Sequence, residues 1–161
     1  MKNIKKNIQQ YIKNFFYKEK ITDKIQSKLD SDIQKVFQRI QKEEVILKCD
    51  IEGTEYKIID HILEYRDRIQ MLVVEFHWID KNEEIFLEAI KKIKNYFQII
   101  HIHGNNHFSK NISGLPIILE ITFLKTKYVR EEKTEYIKEF PIDGLDYPCN
   151  SYKDDLTFRF E

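Results

Sequence analysis

Val45-Ile46-Leu47-Lys48-Cys49-Asp50-Ile51-Glu52-Gly53 is a short, β-branched, mostly apolar run that stops at a carboxylate and turns at a glycine. Tyr56, Ile59, Ile62 and Leu63 follow it at the three-to-four-residue spacing of one helix face. Met71-Leu72-Val73-Val74-Glu75-Phe76-His77 is a second strand of the same kind, and Ile99-Ile100-His101-Ile102-His103 a third. Between those two, Phe86, Ala89, Ile90, Ile93 and Phe97 mark another helix, preceded by Asp80 and Glu83 at capping-box spacing. Strand, helix, strand, helix, strand at these lengths predicts βαβ units with parallel pairing. Pro116 to Leu124 is a fourth strand, reached through a loop from Gly104 to Leu115 that carries no helical pattern. A parallel return would need a crossover, so this strand is expected to run antiparallel.

The fold class that follows is α/β, a mixed and mostly parallel sheet with flanking helices expected on both faces. Gly144, Pro148 and the alternating Leu156, Phe158 and Phe160 predict a turn and an edge strand near the end. Residues 1–44 read as a helical segment and residues 45–161 as the α/β domain, one domain overall. In the first part, Ile4, Ile8, Tyr11, Ile12, Phe15 and Phe16 share one helix face, with lysines around them. A basic amphipathic helix can dock on an anionic membrane or a partner; packing on its own domain is the reading preferred here. A second helix is expected from Asp30-Ser31-Asp32, whose side-chain oxygens suit N-capping, to Glu43-Glu44.

Composition narrows the function classes. The 161 residues include 27 basic and 27 acidic side chains, a net charge of zero that argues against nucleic-acid binding through bulk charge. With 42% apolar and 13% aromatic residues the chain has the means to build a core. No apolar stretch approaches a membrane span and no signal peptide is apparent. Two cysteines, Cys49 and Cys149, make no disulfide scaffold, which predicts a cytoplasmic protein with reduced thiols. The lysine- and isoleucine-rich, alanine-poor composition points to an AT-rich bacterial genome.

Ligands of open α/β sheets bind outside the carboxyl ends of the parallel strands. Here those ends are polar: Asp50 and Glu52 after the first strand, Glu75 and His77 at the second, and His101, His103, Asn105 and Asn106 at the third. Three strands thus direct carboxylates, imidazoles and carboxamides to one rim. Each group also has a structural role open to it. Asp50 and Glu52 can charge the start of the next helix, beside Thr54 and Glu55. Glu75 can be a satisfied buried acid, His77 can stack on Trp78, and the asparagines can serve a turn. Cys49 reads as a small core residue. No H-E-x-x-H, G-x-S-x-G, Walker A or zinc-ribbon spacing occurs, and no residue is assigned as a metal ligand.

The run Leu47 to Tyr56 resembles the FkbM family of S-adenosylmethionine-dependent methyltransferases, whose members carry a strand ending in Asp, a hydrophobic residue, Glu-Gly, a small residue and Glu. Val74-Glu75-Phe76-His77 resembles the next family strand. His101-Ile102-His103-Gly104-Asn105-Asn106 and Pro116 to Phe123 resemble the two closing strands of bacterial members. The likeness covers about residues 31–124. It implies a class I methyltransferase, Rossmann-like sheet in which these four strands are the fourth to seventh, the last of them antiparallel. It further implies S-adenosylmethionine as cofactor and methylation of a hydroxyl on a sugar or surface polysaccharide. Asp50 and Glu52 would border the cofactor. Asp50, His77 and His103 would be catalytic, an imidazole taking the hydroxyl proton, and Glu75, Asn105 and Asn106 would meet the acceptor.

The chain departs from that pattern in one respect. Its glycines are at 53, 104, 114 and 144, so the glycine-rich cofactor turn and the strands that precede it are not recognisable. The expectation is a truncated or partial member of the family, keeping the acceptor half of the sheet. The alternative is a catalytically silent binding or interaction module that holds a glycan or pairs with an active chain. A third reading, a metal-dependent hydrolase, would use Asp50, His77 and His103. In a half sheet the run Val45 to Asp50 would be an edge, to be covered by the N-terminal helices, a second copy or a partner chain.

Overall fold

A computed structural model describes residues 28, 30–40, 44–130 and 137–160. The chain divides into two compact units, Met1–Gln41 and Lys42–Glu161. In the first, helix α1 covers residues 30–39, and Ile40 still donates to the Val36 carbonyl. Asp30, Ser31 and Asp32 are themselves helical instead of capping the helix from outside it. The amphipathic segment expected from Ile4 to Phe16 lies outside the described residues.

In the second unit the order is β1 (Val45–Cys49), α2 (Glu55–Glu64), β2 (Ile69–Phe76), α3 (Glu83–Lys94), β3 (Phe97–Gly104), β4 (Leu119–Lys125), β5 (Glu139–Phe140) and β6 (Phe158–Arg159). Two short 3-10 turns, Ile79–Lys81 and Thr126–Tyr128, precede α3 and follow β4. Strands β1 to β4 form one sheet in the order β1-β2-β4-β3. β1 and β2 pair in parallel, and β4 pairs antiparallel with both β2 and β3. The short connection before β4 has this consequence: with no crossover available, the chain reverses and inserts between the two strands already laid down.

The insertion aligns rows of side chains, because residues opposite each other across a sheet point to the same face. Leu72 stands opposite Phe123, which stands opposite Ile99; Val74, Ile121 and Ile102 form the next row. This apolar face carries the helices. α2 and α3 touch each other, so they share it. Phe76 meets Tyr56 of α2 and Phe86 of α3, with ring centroids 5.6 and 5.2 Å apart. Ile58, Ile59, Ile62 and Leu63 of α2 and Ala89 and Ile93 of α3 complete the buried layer.

The opposite face corrects the expectation of helices on both sides. Among the described residues of this unit it carries no helix, and its rows are largely polar: Glu75, Glu120 and His103, then Thr122 and His101 beside Val73. A bulge between Ile99 and His101 resets the alternation of β3 so that both histidines reach this side. The segment 137–160 lies against it at β3. His103 Nε2 is 3.1 Å from Asp155 Oδ2, and His101 Nε2 is 2.9 Å from Asp146 Oδ1, though not in hydrogen-bond alignment. The edge strand expected near the end is β6, paired antiparallel with β5 in a separate two-stranded sheet. Phe140, Phe158 and Phe160 stack together there.

Phe123 sits wholly buried in the middle of the apolar face. Phe123→Ala is expected to lower the unfolding free energy by about 3–5 kcal/mol, read from the urea midpoint at constant slope.

Candidate functional site

The turn after β1 is built around Glu55. This first residue of α2 has no exposed surface, and its Oε1 accepts hydrogen bonds from the backbone amides of Ile51 (3.0 Å) and Gly53 (3.1 Å). The same oxygen lies 2.9 Å from His77 Nδ1, at the end of the neighbouring strand. Nδ1 is also 3.2 Å from the Glu75 carbonyl. Both partners can only accept, so Nδ1 carries a proton and Nε2 is the ring atom left facing the rim. The Tyr56 hydroxyl donates to the His77 carbonyl at 2.7 Å, which fixes the backbone that carries the ring.

Two residues of this region adopt left-handed geometry without being glycine, Glu52 and Trp78, both with φ of 57°. Such strain is kept only where surrounding contacts hold it. Gly53 follows Glu52 at φ 96°, and a Cβ placed on it would come within 3.0 Å of the Trp78 ring. Trp78 in turn packs edge-on against Phe108, and its carbonyl accepts from the Asn82 amide. The turn after β1 and the turn after β2 are therefore pressed together.

Across this junction four sequence-predicted residues meet. His77 Nε2 faces Asp50 Oδ1 at 4.0 Å and Glu52 Oε2 at 3.6 Å. Glu75 is buried, and carboxylate oxygens of Asp50 and Glu75 lie within 4.8 Å of one another. Burial is the main force raising the Glu75 pKa above the usual carboxylate range; the hydrogen bond from Asn105 opposes it, and the Asp50 carboxylate adds to it. Asn105 joins through its side-chain amide, which donates to Glu75 Oε1 at 2.7 Å while its carbonyl accepts from the His107 amide. Asp50, Glu75 and His77 each offer a ligand atom, and these atoms all lie within 4.8 Å of one another.

The remaining predicted residues are placed elsewhere. His103 lies on β3, two strands from β2, and is engaged by Asp155. Asn106 is buried and spends its side chain on the last segment: its amide donates to the carbonyls of Asn150, Lys153 and Asp154, and its oxygen accepts from the Asn150 amide. Both belong to the junction that holds residues 137–160 to the sheet. Sequence reasoning gave Glu55 only a place in the first helical turn and Tyr56 only a place on the apolar face. The usable signal was the carboxylate two residues beyond Gly53, close enough in sequence to fold back onto the turn amides.

No family model, curated protein or solved structure matches the chain.

Cys49, at the end of β1, is buried, and that burial, with the Glu55 and Asp50 charges beside it, pushes its thiol up to about 12. Cys149 is exposed, its pKa raised by partial burial and by Glu75, Glu120 and Asp155. A thiol reagent at mildly alkaline pH should therefore modify Cys149 alone in the native protein and both cysteines after denaturation. Gly53→Ala should cost about 1–2 kcal/mol of stability, since it forces an L-residue into left-handed geometry against the Trp78 ring.

Proposed function

We propose that the chain is an FkbM-type member of the methyltransferases whose described residues form the acceptor side of the crevice, binding a sugar hydroxyl at the rim made by Asp50, Glu75 and His77. The observation that carries this reading is the convergence of those three side chains at the carboxyl ends of two adjacent parallel strands. Strand direction supports it. The class I methyltransferase resemblance implies a last strand that runs antiparallel, and β4 is antiparallel to both β2 and β3.

The rim suits a polyhydroxylated ligand. It presents carboxylate oxygens as acceptors at Asp50 and Glu52 and an imidazole nitrogen between them. With Nδ1 committed to Glu55, Nε2 is the atom that can accept the proton of an arriving hydroxyl. Glu55 positions the ring and stabilises the charge it acquires. A general base of this kind contributes ~10²–10⁴-fold to a transfer reaction. His77 is preferred over His103 because His103 is held by Asp155 on a different strand.

The described residues do not fit S-adenosylmethionine itself. Only two glycines lie at the strand ends, and both are used by the chain's own packing: a Cβ on Gly53 would meet Trp78, and one on Gly104 would come within 2.7 Å of Pro116. Neither leaves backbone free to cradle a methionine or ribose group. This favours, as second reading, a glycan-binding module without methyl transfer.

Ligand-observed NMR against a panel of monosaccharides and short glycans, together with calorimetry using S-adenosylhomocysteine, tests both. Sugar binding is expected, weakened about tenfold or more by His77→Ala and by Asp50→Asn, the loss set by one charge-assisted hydrogen bond. Heat with S-adenosylhomocysteine would favour the enzyme, and sugar binding without such heat the silent module. Absence of both overturns the proposal.

A further inference from the structure

The Asp50–Glu75–His77 rim leaves an electrostatic conflict that hydrogen bonds within the chain do not resolve. His77 is 4% exposed, and with Nδ1 committed to Glu55 its Nε2 is the ring atom turned to the rim. Nε2 faces carboxylate oxygens at 3.6 and 4.0 Å, too far for hydrogen bonds, and makes none among the described residues. Asp50 and Glu75 bring carboxylate oxygens within 4.8 Å of one another beside it. Glu55 supplies a further observation from outside the cluster: it has no exposed surface, and its Oε2 is a buried acceptor without a partner. All of its donors, the Ile51 and Gly53 amides and the imidazole, fall on Oε1, and Oε2 receives none. Lys48 feels the Glu75 and Asp50 charges, but its hydrogen bond, 2.7 Å, goes to Glu120.

We propose that Asp50, Glu75 and His77 Nε2 bind a divalent transition-metal ion of the manganese or zinc kind, with Glu55 as the positioning residue behind the imidazole. Ions of this size hold nitrogen and oxygen ligands at about 2.0–2.2 Å, which places neighbouring ligand atoms about 3–4.4 Å apart. The 4.0 Å between Nε2 and Asp50 falls within that spread, and all three ligand atoms lie within 4.8 Å of one another, so small side-chain adjustments close the shell. Two carboxylates with one imidazole suit manganese or zinc better than a soft, thiolate-seeking ion. The arrangement behind the ring is that of a metal-bound histidine: the other ring nitrogen donates to a carboxylate, which fixes the tautomer and strengthens the ligand. Glu52, 85% exposed in its side chain, stands at the mouth, where water or an incoming oxygen completes the coordination. The sequence pointed instead to Asp50, His77 and His103 as a possible metal set. The structure puts Glu75 where that reading had His103, because β4 separates β2 from β3.

The ion site concerns the same rim but does not depend on sugar binding. With the ion bound, His77 is a ligand, and an arriving hydroxyl is polarised by the ion's charge in place of the imidazole. Failure of the sugar experiment therefore leaves this inference standing, and the reverse holds as well.

The test is titration of the metal-free full chain with Mn²⁺, followed by electron paramagnetic resonance, and with Zn²⁺, followed by calorimetry, in the absence of any sugar. One ion per chain is expected, with a rise in melting temperature that grows with ion concentration. Zn²⁺ should move the ¹⁵N resonance of His77 Nε2 and leave Nδ1 protonated. Asp50→Asn, an exposed substitution that leaves the core untouched, and His77→Ala should each abolish the one-to-one binding. Glu55→Gln should weaken it about 10–100-fold, as loss of an outer-shell partner does. His103→Ala should leave it unchanged. No binding at millimolar ion, or binding that survives Asp50→Asn and His77→Ala, would overturn the assignment. So would a His77 ring carrying protons on both nitrogens when ion is present.

Discussion

A carboxylate with no access to solvent is tolerated in a protein only when donors surround it, and Glu55 has gathered three of them onto one oxygen. Two are amides of the turn that ends β1, and the third is the imidazole that ends β2. A single side chain therefore fixes the turn, the start of α2 and the orientation of His77. The strained backbone nearby follows from the same demand. For the Ile51 and Gly53 amides to converge on one oxygen the chain must curl tightly, and Glu52 and Gly53 take positive φ to do it. Trp78 then closes over Gly53, where any side chain would collide with its ring. The site is rigid at its base and open at its carboxylate mouth, and that division makes Nε2 the reactive edge of the ring.

Strand order decides which residues share the site. In sequence the three polar strand ends look equivalent, each an apolar run closing on acids, imidazoles or amides. In space β4 lies between β2 and β3, so β3 is two strand spacings from β2, roughly 10 Å at about 4.8 Å per spacing. Asn105 crosses that gap because it belongs to the loop beyond β3 and can fold back to Glu75. His103 cannot, being fixed inside the strand with its side chain opposite Glu120. The antiparallel direction of β4 was legible from loop length. Its insertion between two earlier strands was not, because nothing in local sequence encodes which edge a returning strand adds to.

The same contrast runs through the rest of the chain. β1, β2 and β3 were readable because β-branched apolar runs bounded by turn residues have few other uses. α2 and α3 were readable from their apolar periodicity. The polar face of the sheet was not, because Val73, Thr122 and Glu120 alternate with residues so apolar that the strands look buried on both sides. A parallel strand covered on both faces reads as a continuous apolar run, and β2 imitates one although only one face meets helices. The cover on the other face comes from residues 137–160, whose hold rests on Asn106, Asp146 and Asp155. Polar contacts of this kind follow no period.

Charge gives the last step. Summed over the sequence, acids and bases cancel at 27 each, and that balance argues against a polyanion as ligand. Summed over the rim the balance is lost. Asp50, Glu52, Glu55 and Glu75 crowd around one imidazole, and Lys48 answers Glu120 first. Such crowding costs stability wherever the carboxylates remain ionised and unpaired, by an amount that grows as their surroundings exclude water. Glu75 and Glu55 are the buried members, so they bear most of it. A chain folding for packing alone would gain by losing one of these acids. Their presence together in so small a space is intelligible if the rim is completed by something positive or proton-donating, an ion between Asp50 and His77 or a hydroxyl-bearing ligand against Nε2. Both readings of the site are answers to the same excess of acceptors.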